Sequence, residues 1–399
     1  MKPTLADLGQ LTGKTVLVRV DYNVPLSGTT VTDDSRIRQT LPTLQKLIGA
    51  GAKVVLCAHM GRPQKKDPSE WGKLSLKPAA DVLASLLGQP VAFAANCIGP
   101  EAEAAKAALE PGQVLLLENT RFHKGEESKD ADVRRAFAQE LAKGCDAFVQ
   151  EAFGAVHRAH GSTTGVVEFL KPAVLGGLVE RELKVLTELR DAPERPLVVI
   201  LGGAKVSDKL GVVQSMLNLA DTLIIGGGMA YTFFKARGLE IGKSLLDAES
   251  LDAVVEIEKT AAAKGVKLLL PVDIVVAPDF AADAPSTIVD IDQIPADQEG
   301  LDIGPKTRAL FAEALQGAKM VFWNGPMGVF EFDAFAKGTN AVAEALAECG
   351  AKVVVGGGDS GAAVKKAGYS DRMYHNCTGG GASLEFLEGK PLPGVEAIS

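Results

Sequence analysis

Arginine and histidine recur just after short apolar runs in the first half of this chain, and glycine replaces them in the second half. Arg19, Asp21 and Asn23 close the first run, with Arg36 and Arg38 in the loop beyond it. His59 and Arg62 follow the second run, Arg121 and His123 the fourth, and His157, Arg158 and His160 the fifth. Arginine presents a rigid fork of donors that matches carboxylate and phosphate oxygens. Four of the five histidines lie in this half, and each of the four stands within three residues of an arginine. One such arginine reads as a solvated charge or a structural ion pair; the cluster reads as an anion site. His157 and His160 could pair on a metal, but no further ligands follow at a suitable spacing, which disfavours zinc.

In the second half, apolar runs lead straight into Gly202-Gly203-Ala204-Lys205, Gly226-Gly227-Gly228, Asn324-Gly325-Pro326-Met327-Gly328 and Gly356-Gly357-Gly358-Asp359-Ser360. A fifth cluster is Thr378–Ser383. Glycine behind a buried strand lets backbone N–H groups approach phosphate closely, and a helix starting there adds its positive end. A single glycine pair serves ordinary turn geometry, whereas five clusters point to a nucleotide. Neither common nucleotide fingerprint is present. Lys205 and Lys209 sit in Gly-Gly-Ala-Lys-Val-Ser-Asp-Lys rather than in a P-loop, and Gly226–Tyr231 lacks the third glycine of a dinucleotide motif. Asp359 suits either Mg²⁺ carried by nucleotide phosphates or a helix N-cap.

The elements that must position these residues are short and β-branched. Val16–Val20, Val54–Cys57, Val91–Ala94, Val114–Leu117 and Ala147–Val149 are expected strands of the first half. Leu197–Leu201, Leu223–Ile225, Leu268–Val272, Met320–Trp323 and Lys352–Val355 are those of the second. Strands apolar on both faces belong to parallel sheets covered by helices. Ala79–Leu87, Asp130–Ala142, Leu251–Ala263 and Thr339–Cys349 have helical period between them. The expected fold is α/β: two doubly wound (Rossmann-like) parallel-sheet lobes joined by a helix, with a cleft between them. Leu175, Leu178, Val179, Leu183, Val185, Leu186 and Leu189 fit one face of that joining helix, between Pro172 and Pro193. The lobes then span 1–170 and 196–384, with 171–195 as the hinge.

At 399 residues and 46% hydrophobic content the chain can fill two cores. A net charge of −8 repels nucleic acid and anionic membranes, so an anionic substrate needs a local basic patch. Five cysteines without a C-x-x-C pair read as reduced thiols. No signal peptide is visible and apolar runs fall far short of the ~20 residues of a membrane span. A cytoplasmic protein is expected.

Several ordered motifs carry a resemblance. They are Val18-Arg19-Val20-Asp21-Tyr22-Asn23-Val24-Pro25, Ala58-His59-Met60-Gly61-Arg62-Pro63, Leu117–Phe122 and Ala152–His160. They continue with Gly202–Val206, Trp323–Glu331, Gly356–Ser360 and Thr378–Ser383. Along essentially its whole length the chain resembles the phosphoglycerate kinase family. The resemblance implies reversible transfer of the acyl phosphate of 1,3-bisphosphoglycerate to MgADP, with the triose on the N-terminal lobe and the nucleotide on the C-terminal lobe. By matched position, Asp21, Asn23, Arg36, His59, Arg62, Arg121 and Arg158 would hold 3-phosphoglycerate. Lys205, Lys209, Gly328, Glu331, Gly357, Gly358, Asp359 and Ser360 would hold the nucleotide, with Asp359 near Mg²⁺.

Arg36, Lys205 and the backbone at Gly379 and Gly380 would stabilise the transferring phosphoryl group. Lobe closure would bring the two ligands together and exclude water. The resemblance further implies a monomer, with residues 385–399 returning to the N-terminal lobe. Two departures from the family pattern are Cys377, where serine is usual, and Gly361, where alanine is commoner; Cys377 would leave the catalytic turn open to oxidation. The rival readings are a dehydrogenase, disfavoured by the glycine spacing, and a non-catalytic nucleotide-binding protein, disfavoured by the presence of Arg36, Lys205 and Asp359 together.

Overall fold

The computed structural model describes residues 2–399. The chain divides into two compact units, Met1–Lys184 with Pro391–Ser399, and Val185–Lys390. Each contains a six-stranded parallel sheet.

In the first unit the spatial order is Val91–Ala94, Val114–Leu117, Lys53–Cys57, Thr15–Arg19, Ala147–Gln150 and Ala173–Leu175. The central strands are apolar on both faces because helices cover both. Val18, Val54, Leu116 and Val149 are buried together with Leu44 and Leu83 from the helices Ser35–Gly49 and Lys77–Leu87. From Thr15–Arg19 the chain moves to Lys53–Cys57 on one side and later to Ala147–Gln150 on the other. This reversal of strand order opens a crevice at the strands' carboxyl ends. The register is level there, Arg19 pairing with both Cys57 and Gln150. The following loops therefore start abreast.

The second unit repeats the design in the order Lys267–Leu269, Thr222–Ile225, Leu197–Leu201, Met320–Asn324, Lys352–Gly356 and His375–Asn376. Its core joins Ile200, Val321 and Val355 with Phe311 and Leu346. Here Ile225, Leu201, Asn324 and Gly356 lie level, so four glycine-rich turns leave the sheet side by side.

Several local expectations change. Arg36 and Arg38 lie in the first turn of the helix Ser35–Gly49 and not in a loop, since Asp34 and Ser35 start the helix early. Leu175 belongs to the edge strand Ala173–Leu175, and the helix begins only at Gly177, running to Asp191. The expected strand Leu268–Val272 ends early, since only Lys267–Leu269 joins the parallel sheet. The next strand, Asp273–Ala277, begins just beyond the expected range and forms an antiparallel three-stranded sheet with Thr287–Asp290 and Glu299–Ile303. The C-terminal helix Pro393–Glu396 lies on the first unit, where Gly394 N donates to Val156 O at 2.8 Å and Lys2 Nζ to the Ile398 carbonyl at 2.8 Å. Among the described residues no helix is long and apolar enough to cross a membrane.

Candidate active site

Beneath the first crevice lies a fully buried ion pair. Arg19, expected to stand at a ligand, has no exposed surface. Its Nε donates to Ser162 Oγ at 2.7 Å, and its Nη2 lies 4.0 Å from Glu126 Oε1. Glu126 in turn accepts from the Ser162 backbone at 2.8 Å and from the Thr120 hydroxyl at 3.2 Å. Such a pair holds geometry because removing either partner would leave a buried charge unmatched. Arg19 Nη2 also donates to His59 Nδ1 at 3.0 Å. A guanidinium can only donate, so Nδ1 accepts and the ring proton sits on Nε2. Burial, reinforced by Arg19 and Arg121, pushes the His59 imidazole well below its ordinary pKa. His160 is lowered to about 4, again chiefly by burial. At neutral pH these two rings are therefore uncharged hydrogen-bonding groups, and the arginines and Lys65 carry the cationic character of the crevice in their place.

Asn119 fastens the loops together. Its side chain donates to the carbonyls of Met60 (2.8 Å) and Leu74 (3.0 Å) and accepts from Arg121 N (3.0 Å). Asn23 Oδ1 accepts from Gly61 N at 2.9 Å. The result is a cavity of about 520 Å³ walled by Asn23, His59, Arg62, Arg121 and Arg158. Lys65, Gln64, Glu127, His157 and His160 complete the polar wall. Five of the seven residues expected to hold a triose phosphate thus share one cavity. The other two, Asp21 and Arg36, are absent from its wall and bind each other, Arg36 Nη1 donating to both Asp21 oxygens at 3.0 Å.

The second unit's cavity is larger, about 600 Å³, and different in kind. Glycine turns supply one wall through Gly203, Gly227, Gly228 and Gly328, and Glu299, Glu331 and Asp359 are the acidic members of the lining. Tyr231, Leu245, Phe280, Leu301, Val329 and Phe332 make an apolar slot, with Phe280 and Phe332 in contact at 5.2 Å between ring centres. An apolar slot bordered by a few polar groups suits a flat heterocycle. The sequence reading missed this slot because Phe280, Glu299 and Leu301 come from the antiparallel insert. Its signal was the short runs Ile274–Val276 and Ile288–Val289, which have no helical pattern between them.

Several expected nucleotide residues lie outside that wall. Lys209 Nζ donates to the Gly202 carbonyl and, at 3.0 Å, to that of Asn324; burial lowers its pKa to about 8. Lys205 is exposed on the turn ahead of the helix Leu210–Met216. Ser360 is buried and accepts from Gly325 N at 2.6 Å, clipping two turns together. Gly357, at φ +91°, caps the helix Gly358–Lys366. Gly379 caps the helix Gly380–Leu387, and a Cβ on Gly380 would come within 2.9 Å of Gly357 Cα. Only glycine permits those two helix starts to approach so closely. Cys377, half-buried, directly precedes this segment.

Comparison with known proteins matches this arrangement to one family. The sequence model of phosphoglycerate kinase matches residues 5–390. This chain belongs to the phosphoglycerate kinase family. It is similar to the phosphoglycerate kinase of Synechococcus sp. strain JA-3-3Ab, with 54% identity covering 98% of this chain and 96% of the relative. The phosphoglycerate kinase of Moorella thermoacetica is also 54% identical, over 100% and 99% of the two chains. Among solved structures, phosphoglycerate kinase from Coxiella burnetii superposes with a TM-score of 0.85 at 40% identity, covering 100% of this chain and 99% of that one. The enzyme from Pyrococcus horikoshii gives 0.86 at 33% identity, over 99% and 98%. As a member of this family the chain is a kinase and uses a nucleotide.

Proposed function

We propose that this chain catalyses reversible phosphoryl transfer between 1,3-bisphosphoglycerate with MgADP and 3-phosphoglycerate with MgATP, as a cytoplasmic monomer. The observation that carries the reading is the contrast between its two crevices. One presents arginines and neutral histidine donors to a small polyanion; the other presents an apolar slot beside glycine turns and helix starts. In this reading Asn23, His59, Arg62, Arg121 and Arg158 grip the triose, and Asp21 orients Arg36 through both carboxylate oxygens. Glu331, Gly328 and the Gly357–Ser360 turn hold the nucleotide.

Asp359 fits Mg²⁺: it is an exposed, hard oxygen donor in the first turn of its helix and lines the nucleotide cavity. Bound there, the ion would neutralise charge on the nucleotide's phosphates. The acceptor is already a carboxylate, so the chain supplies position and charge rather than a base. Lys205 and Arg36 stabilise the equatorial oxygens, and the N–H groups at Gly379 and Gly380 add fixed dipoles. Transfer requires the two ligands to meet, so a domain movement belongs to the proposal.

A coupled assay of ATP-dependent 3-phosphoglycerate phosphorylation, run on the native chain and Lys205→Ala, tests this. Activity in the first and a loss of at least about 100-fold in kcat in the second is expected. A folded, Mg²⁺-supplied native chain without activity would overturn the reading.

A further inference from the structure

Glu127 is the only carboxylate in the wall of the first unit's cavity among the described residues, and it stands among four cationic side chains, Arg62, Lys65, Arg121 and Arg158. Its Oε1 lies 2.9 Å from Arg121 Nη2, with side-chain exposures of 36% for Glu127 and 10% for Arg121. The other end of the same guanidinium is also held, Nη1 donating to the Gly61 carbonyl at 2.8 Å. Two acceptors on two different Nη nitrogens fix the plane of the fork, not only its position. The Nε–H is buried and has no partner among the described residues, so these two contacts alone orient the group. Glu127 Oε1 also lies 3.7 Å from His160 Nε2, but that ring is uncharged at neutral pH and adds no ion pair.

We propose that Glu127 is a positioning residue for the triose phosphate, holding the Arg121 guanidinium in the plane from which its remaining N–H groups grip the anion. The proposal rests on the reading above that this cavity takes 3-phosphoglycerate.

The sign of the effect separates positioning from simple charge. Removing a carboxylate from a basic pocket should tighten anion binding by Coulomb's law alone. Loss of an orienting contact should weaken it. The test is steady-state kinetics of Glu127→Ala, Glu127→Gln and Arg121→Ala with 3-phosphoglycerate and MgATP, alongside each variant's melting midpoint. Glu127→Ala should raise the KM for 3-phosphoglycerate about tenfold, the scale of one lost hydrogen bond to a charged group, with the KM for ATP and the midpoint unchanged. Glu127→Gln keeps an oxygen that accepts from Nη2 and should return the KM to within about threefold of native.

An unchanged or lowered triose KM in Glu127→Ala overturns the proposal. So does a parallel loss in both KM values with a lower midpoint, which marks a merely structural residue. Arg121→Ala keeps the two readings apart: if it leaves the triose KM untouched, the placement of 3-phosphoglycerate in this cavity falls. If it raises that KM while Glu127→Ala does not, only the role of Glu127 falls.

Discussion

Glu151 should make the protein more stable in mild acid than at neutral pH. It follows the strand Ala147–Gln150 and is completely buried. Its carboxyl oxygens lie 3.2 and 3.3 Å from Leu178 N, in the first turn of the helix Gly177–Asp191. Burial raises its pKa to about 8, and the opposing hydrogen bonds from Thr43, Leu178 and Val179 do not offset that cost. The folded protein therefore keeps a proton that the unfolded chain releases near pH 4.5. Folding takes up this proton between the two values, so stability is greatest below the unfolded pKa and declines as pH rises toward about 8. Where only the unfolded state is ionised the slope is about 1.4 kcal/mol per pH unit, or about 2–3 kcal/mol between pH 5 and 7.

Glu151→Gln retains the shape without the titrating proton. Urea unfolding of both chains across pH 5–9 should show the difference between them moving toward the glutamine variant by about 4 kcal/mol in all, about 2–3 of it by pH 7, then levelling above pH 8. Subtracting the two profiles cancels every other titrating group. A difference that stays flat over the range would refute the reasoning, because it would mean that the carboxylate is ionised in the fold throughout.

Gly380→Ala should push the Gly357 turn away from the helix Gly380–Leu387, since the added methyl meets Gly357 Cα at 2.9 Å. A displacement of this kind should lower kcat/KM for MgATP about 10–100-fold and leave the KM for 3-phosphoglycerate near native; equal values for both substrates would refute it. Lys209, lowered to about 8 by burial, loses its charge as pH rises through that value. The KM for the nucleotide should accordingly climb above pH 8 in the native chain and show no such inflection in Lys209→Met, whose KM should be high throughout. Steady-state assays from pH 7 to 9.5 decide it.

The parallel strands and most of their helices were legible in the sequence because their signals are local. A run such as Leu197–Leu201 is apolar on both faces wherever its neighbours come from, and Leu251–Lys264 declares its own period. The antiparallel insert was not legible. Its strand Thr287–Asp290 is largely exposed, and Glu299–Ile303 buries the polar Asp302 between Leu301 and Ile303, so their hydrophobic pattern is weak. Leu175 misled for the opposite reason: a three-residue edge strand ends two residues before a helix, and its side chain falls by chance on the helical phase.

The sequence by itself determined which loops carry charge and which carry glycine, since each residue is tied covalently to the end of its own strand. Only the tertiary structure decided which of those loops meet. The sheet order places Lys53–Cys57 and Ala147–Gln150 on either side of Thr15–Arg19, and that brings residues about a hundred positions apart into one wall. It also decided charge state and role. Arg19 and Arg121 are the same residue type near the carboxyl ends of similar strands, yet Arg19, the last residue of its strand, is sealed beneath the site and Arg121, beyond the end of its own, lines it. His59 and His160 would be partly charged in water and are neutral here, because burial and neighbouring guanidinium groups are properties of the assembled fold. Spacing along a chain encodes period; desolvation depends on everything that packs around a group, and that exists only once the chain has folded.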